Sequence, residues 1–230
     1  EGESDTDRAE TEARLLRGEG MVAGTQIGHY ERHLGMQYGL QMVGARAGVK
    51  PEMEPVGFLG EALDTKALGP GVTVTPDMRY TIDEQRKQKN KNNQTVKWFE
   101  LKCASSGRYY EGGGGDGATR YEKAKTIDFK KRIEHLDARQ SGQSGTGKLW
   151  KRVMTLGGVT IGAFGRFGEE GKGMRGVINE WAKTMALKSY RTMGKEKPED
   201  VVGWCRSSLM RTVGVASAKF RARQIRMQFD

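Results

Sequence analysis

In Val72-Thr73-Val74-Thr75-Pro76-Asp77-Met78-Arg79-Tyr80-Thr81-Ile82-Asp83, apolar Met78, Tyr80 and Ile82 alternate with Asp77, Arg79, Thr81 and Asp83. That period of two predicts a half-buried strand. A second strand follows in Val96-Lys97-Trp98-Phe99-Glu100-Leu101-Lys102-Cys103, where Phe99 and Leu101 oppose Glu100 and Lys102. Glu100 and Lys102 therefore share one face, and Leu101 points to the core. The segment between, Glu84–Gln94, is polar and basic, with Arg86, Lys87, Lys89 and Lys91. It reads as a hairpin loop longer than most. Such a hairpin brings Asp77 close to Glu100 and Lys102. Asp83 shares a face with Asp77 but lies about 20 Å along an extended strand, outside any shared site.

Two carboxylates and a lysine on neighbouring strands have a definite chemistry. Hard oxygen donors from Asp77 and Glu100 suit Mg²⁺ or Mn²⁺, which keep several waters and share phosphate oxygens. A lysine beside them suits holding a water and offsetting phosphate charge. Against this stands a solvated hairpin face, which carries the same residue types without function.

Outward from the hairpin, Ile27 to Arg46 reads as a helix with Ile27, Tyr30, Leu34 and Tyr38 on one face, stopped by Gly48 and Lys50-Pro51. Residues 52–59 look extended, and Glu61–Lys66 reads as a helical turn. Thr119 to Arg139 is charged and helix-like. Trp150 to Phe164 has the β-branched and aromatic content of a strand, broken at Gly157-Gly158. Two helices follow, one with the stripe Met174, Val177, Ile178, Trp181 and Met185. The other carries Val202, Cys205, Leu209, Val213, Ala216 and Phe220. The order predicts an α/β domain around a mixed sheet flanked by helices, with two C-terminal helices. Residues 1–25 read as a flexible leader and residues 26–230 as the domain. The first residue is Glu rather than Met, which suits a fragment or a processed chain.

The 230 residues carry a formal net charge of +10. The excess is clustered, with acidic residues in 1–20 and basic ones in 86–91 and 206–226, so a polyanionic partner is the expectation. No apolar run has the length of a membrane span and no signal peptide is visible. Two cysteines and three histidines are too few for a disulfide framework or a closed zinc site. A reducing, intracellular setting is the default.

One further string promises phosphate chemistry. Gly142 to Lys148 reads Gly-Gln-Ser-Gly-Thr-Gly-Lys and fits the Gly-x4-Gly-Lys part of a P-loop. Leu149 stands where the Mg²⁺-binding Ser or Thr belongs, and the preceding segment looks helical rather than like a buried strand. A linker reading is preferred over nucleotide binding.

Pro76-Asp77 and Glu100-Leu101-Lys102 resemble the two signature strings of the PD-(D/E)xK nuclease superfamily. Arg32-His33, Ala47-Gly48-Val49 with Glu52 and Glu54, Thr155-Leu156-Gly157-Gly158 and Gly168-Glu169-Glu170-Gly171 are similar to a narrower group. That group is the restriction-like endonuclease domain of non-LTR retroelement polyproteins. The similarity is dispersed over residues 27–225, and the zinc knuckle and reverse transcriptase usual in such polyproteins are not in this sequence. The resemblance implies a restriction-endonuclease-like fold and Mg²⁺- or Mn²⁺-dependent DNA cleavage or nicking, of the kind used in mobile-element integration. A DNA-binding domain of the same fold without cutting activity is the alternative. It further implies Asp77, Glu100 and Lys102 as catalytic residues, and Asp77 and Glu100 as metal ligands. Glu31 is the candidate for a second metal, with Glu54 behind it.

A downstream helix lysine, Lys123 or Lys125, is the implied addition to the site. DNA contacts are expected from Arg86, Lys87, Lys89, Lys91, Lys123, Lys125 and Arg206. A nuclear location follows if the source is eukaryotic. A homo-oligomer and a place within a larger polyprotein are both left open.

Overall fold

The structure is a computed structural model and describes residues 26–69, 74–83, 94–103, 116–165 and 168–226. The leader 1–25 and the basic loop with Arg86, Lys87, Lys89 and Lys91 lie outside the described residues. The elements run α1 (Gln26–Ala47), β1 (Glu52–Met53), a 3-10 turn (Gly60–Ala62), α2 (Thr65–Leu68), β2 (Met78–Asp83) and β3 (Gln94–Cys103). They continue with α3 (Gly117–Ser141), α4 (Lys148–Thr155), β4 (Val159–Phe164), α5 (Lys172–Ser189) and α6 (Glu199–Arg226).

The four strands form one mixed sheet in the order β1-β2-β3-β4. β1–β2 and β2–β3 are antiparallel, as short connections allow. β4 lies parallel to β3, and the long crossover this needs is supplied by α3 and α4. The class is α/β, as expected. Among the described residues, no helix is long and apolar enough to cross a membrane.

Alternation along β2 and β3 sorts the core into two layers. Met78, Tyr80, Phe99, Leu101 and Cys103 face one side and pack on Leu40 and Val43 of α1, Trp181 of α5 and Leu209 of α6. Trp98 faces the other side and packs with Phe58, Ile133 and Leu136 of α3, and Leu149 and Val153 of α4. The sheet is thus sandwiched between α1/α5/α6 and α3/α4. Glu100 and Lys102 share their strand parity with Trp98, so they start from the α3 side.

Two local expectations change. The buried face of α1 is Met36, Leu40, Val43 and Ala47, while Tyr38 is exposed. Both rows have helical spacing, and only tertiary packing against α6 selects between them. The stretch from Trp150 is not one strand: Lys148–Thr155 is helical and the strand begins at Val159. The stripes of α5 and α6 hold, with Val201 deeper than Val202, and the side chain of Phe220 lies outside the described part. Both cysteines are buried and form no disulfide.

Candidate active site

Asp77 immediately precedes β2, and the register Met78↔Phe99 carries it opposite Glu100. Directly opposed residues of an antiparallel pair have Cβ atoms about 4.5–5.5 Å apart, so the two carboxylates are neighbours. Lys102, two residues on, donates from Nζ to Glu100 Oε1 at 2.6 Å. Asp77 and Glu100 each keep only 15% of their side-chain surface exposed, and Lys102 keeps 30%. That is not a solvated hairpin face. It is a half-buried polar cluster in which the charges face one another.

Asp77 is tied down from three directions. Its Oδ2 accepts the backbone N–H of Leu101 at 2.6 Å. Its Oδ1 accepts from His33 Nε2 at 3.0 Å and from Gln37 Nε2 at 3.2 Å. A carboxylate only accepts, so the His33 ring carries its proton on Nε2 and the Gln37 amide presents its NH₂. His33 and Gln37 are spaced i, i+4 on α1 and so share a face. The helix that packs on the opposite layer thereby reaches around the sheet end and grips Asp77.

Burial raises the Glu100 carboxyl above the ordinary glutamate value, and the negative charge of Asp77 raises it further. Lys102 and His33 act the other way and do not cancel the effect. Two carboxylates this close, with one held above its usual range, form a locus of excess negative charge that a divalent cation would neutralise. Among the described residues, no three His, Cys, Asp or Glu side chains converge as a ready-made cation cage. Mg²⁺ does not require one, because it binds through one or two carboxylates plus water and substrate phosphate. The donor set fits Mg²⁺ or Mn²⁺ on that count.

Of the expected site residues, Asp77, Glu100 and Lys102 are brought together by register and hydrogen bonds, and the backbone N–H of Glu54 donates to the Asp77 carbonyl at 2.8 Å. The side chain of Glu31 lies outside the described part. Glu54 is exposed, in the left-handed region at φ 47° just after β1. Asp83 pairs with Gln94 at the far end of β2. Lys123 is exposed on α3, and Lys125 pairs with Asp128 one turn along the same helix at 2.8 Å. The guanidinium of Arg206 is not a free surface cation. It grips both oxygens of the buried Glu170 at 2.6 and 2.7 Å and donates to Asn179 at 2.8 Å. That brace ties α6 to Glu170, just before α5, and to Asn179 within α5. Trp204 is exposed on α6.

Gln37 is the site residue that sequence reasoning missed. Its spacing of four puts it on one helix face with His33, but nothing local names Asp77 as their partner.

The P-loop-like string is spoken for. Asp137, fully buried on α3, accepts the N–H of Gly147 at 2.6 Å and that of Leu149 at 3.1 Å. Those groups belong to the N-terminus of α4, where a phosphate would sit in a nucleotide site. A Cβ on Gly147 would overlap Asp137 Oδ1 and Ser141 Oγ, so glycine there serves the fit to a carboxylate. The element before the loop is a helix, not a strand. Comparisons of the chain with family models, with curated proteins and with solved structures find no match.

Proposed function

We propose that this chain is a divalent-metal-dependent DNA endonuclease with a restriction-endonuclease-like fold. The observation that carries the reading is the meeting of Asp77, Glu100 and Lys102 in one half-buried cluster at the end of a mixed sheet. The helices on both faces of the sheet and the two helices after β4 agree with that fold.

Asp77 and Glu100 would hold Mg²⁺ or Mn²⁺, which when bound lowers the pKa of a water and stabilises charge on phosphate. Lys102, once its partner Glu100 turns to a cation, would have its ammonium released toward water or a phosphate oxygen. His33, Gln37 and the Leu101 N–H keep Asp77 from rotating away. The net charge of +10 favours a polyanion.

The test is conversion of supercoiled plasmid to nicked or linear form with Mg²⁺ or Mn²⁺, with Asp77→Ala and Lys102→Ala as controls. Metal-dependent nicking lost in both variants supports the proposal. Intact plasmid with wild-type protein and either metal rejects it.

A further inference from the structure

Gln37 presents an anomaly that its neighbours resolve. Its residue is 5% exposed, between buried Met36 and Leu40 on the apolar face of α1. A buried amide is costly unless its polar atoms are paired. Its NH₂ is directed at Asp77 Oδ1, an atom that His33 already holds. Two donors therefore converge on one carboxylate oxygen.

Each carboxylate oxygen accepts in about two lone-pair directions. Among the described residues, Oδ1 of Asp77 takes two donors and Oδ2 takes one, the Leu101 N–H. Oδ1 is thereby saturated, and one direction remains at Oδ2. An aspartate so held can offer a cation one oxygen and not two. Mg²⁺ has near-octahedral geometry at about 2.0–2.1 Å and is content with single oxygens from one or two carboxylates. Ca²⁺ takes about 6–8 oxygens, often including bidentate carboxylates, at about 2.3–2.6 Å. Ligand number and rigidity are what separate the two ions.

We infer that Gln37, together with His33, is a specificity-determining pair that holds Asp77 monodentate and so biases the Asp77–Glu100 site toward Mg²⁺ over Ca²⁺. The inference rests on the metal-site reading above and adds to it a selectivity and the residues that set it. Gln37 touches neither substrate nor ion. It is a positioning residue acting through Asp77.

The experiment is calorimetric titration of the full chain with Mg²⁺ and, separately, with Ca²⁺, without DNA. Gln37→Met fills the same buried space with no donor, and Gln37→Glu replaces the donor with a further carboxylate. Circular dichroism melts without metal establish that each variant is folded, and either folded variant suffices.

Freeing one lone pair from a charge-assisted bond is expected to raise Ca²⁺ affinity on the order of tenfold. Mg²⁺ affinity should move by less than about threefold, since its coordination needs no second Asp77 oxygen. A merely structural role for Gln37 would change both ions alike or neither. A Ca²⁺-to-Mg²⁺ affinity ratio that stays at the wild-type value overturns the inference while leaving the nuclease reading intact. Wild-type protein that binds neither ion overturns both.

Discussion

Two strings in this chain promise phosphate chemistry, and the fold treats them in opposite ways. At Gly142–Lys148 the amides at the start of α4 are met from within. The buried Asp137 carboxylate takes the amide protons of Gly147 and Leu149, and Gly142 ends α3 in the left-handed conformation at φ 72°. At Asp77 and Glu100 the balance is incomplete. Two carboxylates are held side by side and half-buried, and the proton affinity of Glu100 rises as a result. A motif is a claim about which groups are left over after folding. The loop commits the amides of Gly147 and Leu149 to an internal anion, whereas the proposed site keeps carboxylate oxygens for a cation.

The sharpest break between the two regions is in activity. Asp77→Ala is expected to reduce metal-dependent plasmid nicking by about 10³-fold, and Lys102→Ala by about 10²–10³-fold. Asp137→Asn should leave nicking within about threefold of wild type when assayed well below its melting temperature. Equal loss in the Asp77 and Asp137 variants, with both folded, would erase the distinction drawn here.

Stability should invert that order. Asp137 is fully buried and serves two backbone donors at a helix start. An asparagine there turns one acceptor into a donor against an N–H, at a cost of about 2–4 kcal/mol. The melting temperature of Asp137→Asn should fall by about 5–10 °C. Asp77→Ala removes an unfavourable neighbour of Glu100 as well as three hydrogen bonds, so its melting temperature should fall less. Differential scanning calorimetry of the two variants side by side ranks them.

The pH dependence of stability isolates Glu100. Its carboxyl is raised in the fold, by burial first and by Asp77 second. Between the ordinary glutamate value and the raised one, the native state binds more protons than the unfolded chain. Stability from this group is therefore complete below the window and declines as pH rises through it. Glu100→Gln removes that decline, so the variant should gain on wild type as pH increases. Mg²⁺ needs the deprotonated form, so its stabilising effect on wild type should be larger above the window than below it. Melting curves against pH, with and without Mg²⁺, measure both slopes. A wild-type and Glu100→Gln pair whose difference does not change with pH would remove the electrostatic strain from the site.

How much of this was legible beforehand follows from the range of the forces involved. The β2–β3 hairpin could be read because alternation is local, and the pairing of Asp77 with Glu100 followed from it. The grip of His33 and Gln37 on Asp77 spans 44 and 40 residues and leaves no local trace. A lone glutamine on an apolar helix face reads as a side chain turned to water until its partner is known. The helix Lys148–Thr155 was hidden for a related reason. Its Trp150, Val153 and Thr155 favour strand locally, while its N-terminus is set by Asp137, ten residues before Gly147. The brace at Arg206 leaves no local trace either, since the buried Glu170 that binds it lies 36 residues away.

The smallest expected effect lies at Lys148, and it tests the loop side of the comparison alone. Lys148 is exposed in the first turn of α4, where a cation opposes the positive end of the helix dipole. In a nucleotide site this lysine would be indispensable, and Lys148→Ala would abolish ATP binding. With Asp137 already seated on the helix N-terminus, the substitution should change stability by no more than about 0.5 kcal/mol, in the stabilising direction. Plasmid nicking should stay within about twofold of wild type, and neither protein should bind ATP by equilibrium dialysis. ATP binding by wild type that disappears in Lys148→Ala would mean that Asp137 yields its place to a phosphate. The two strings would then both be sites, and internal satisfaction would not be what separates them.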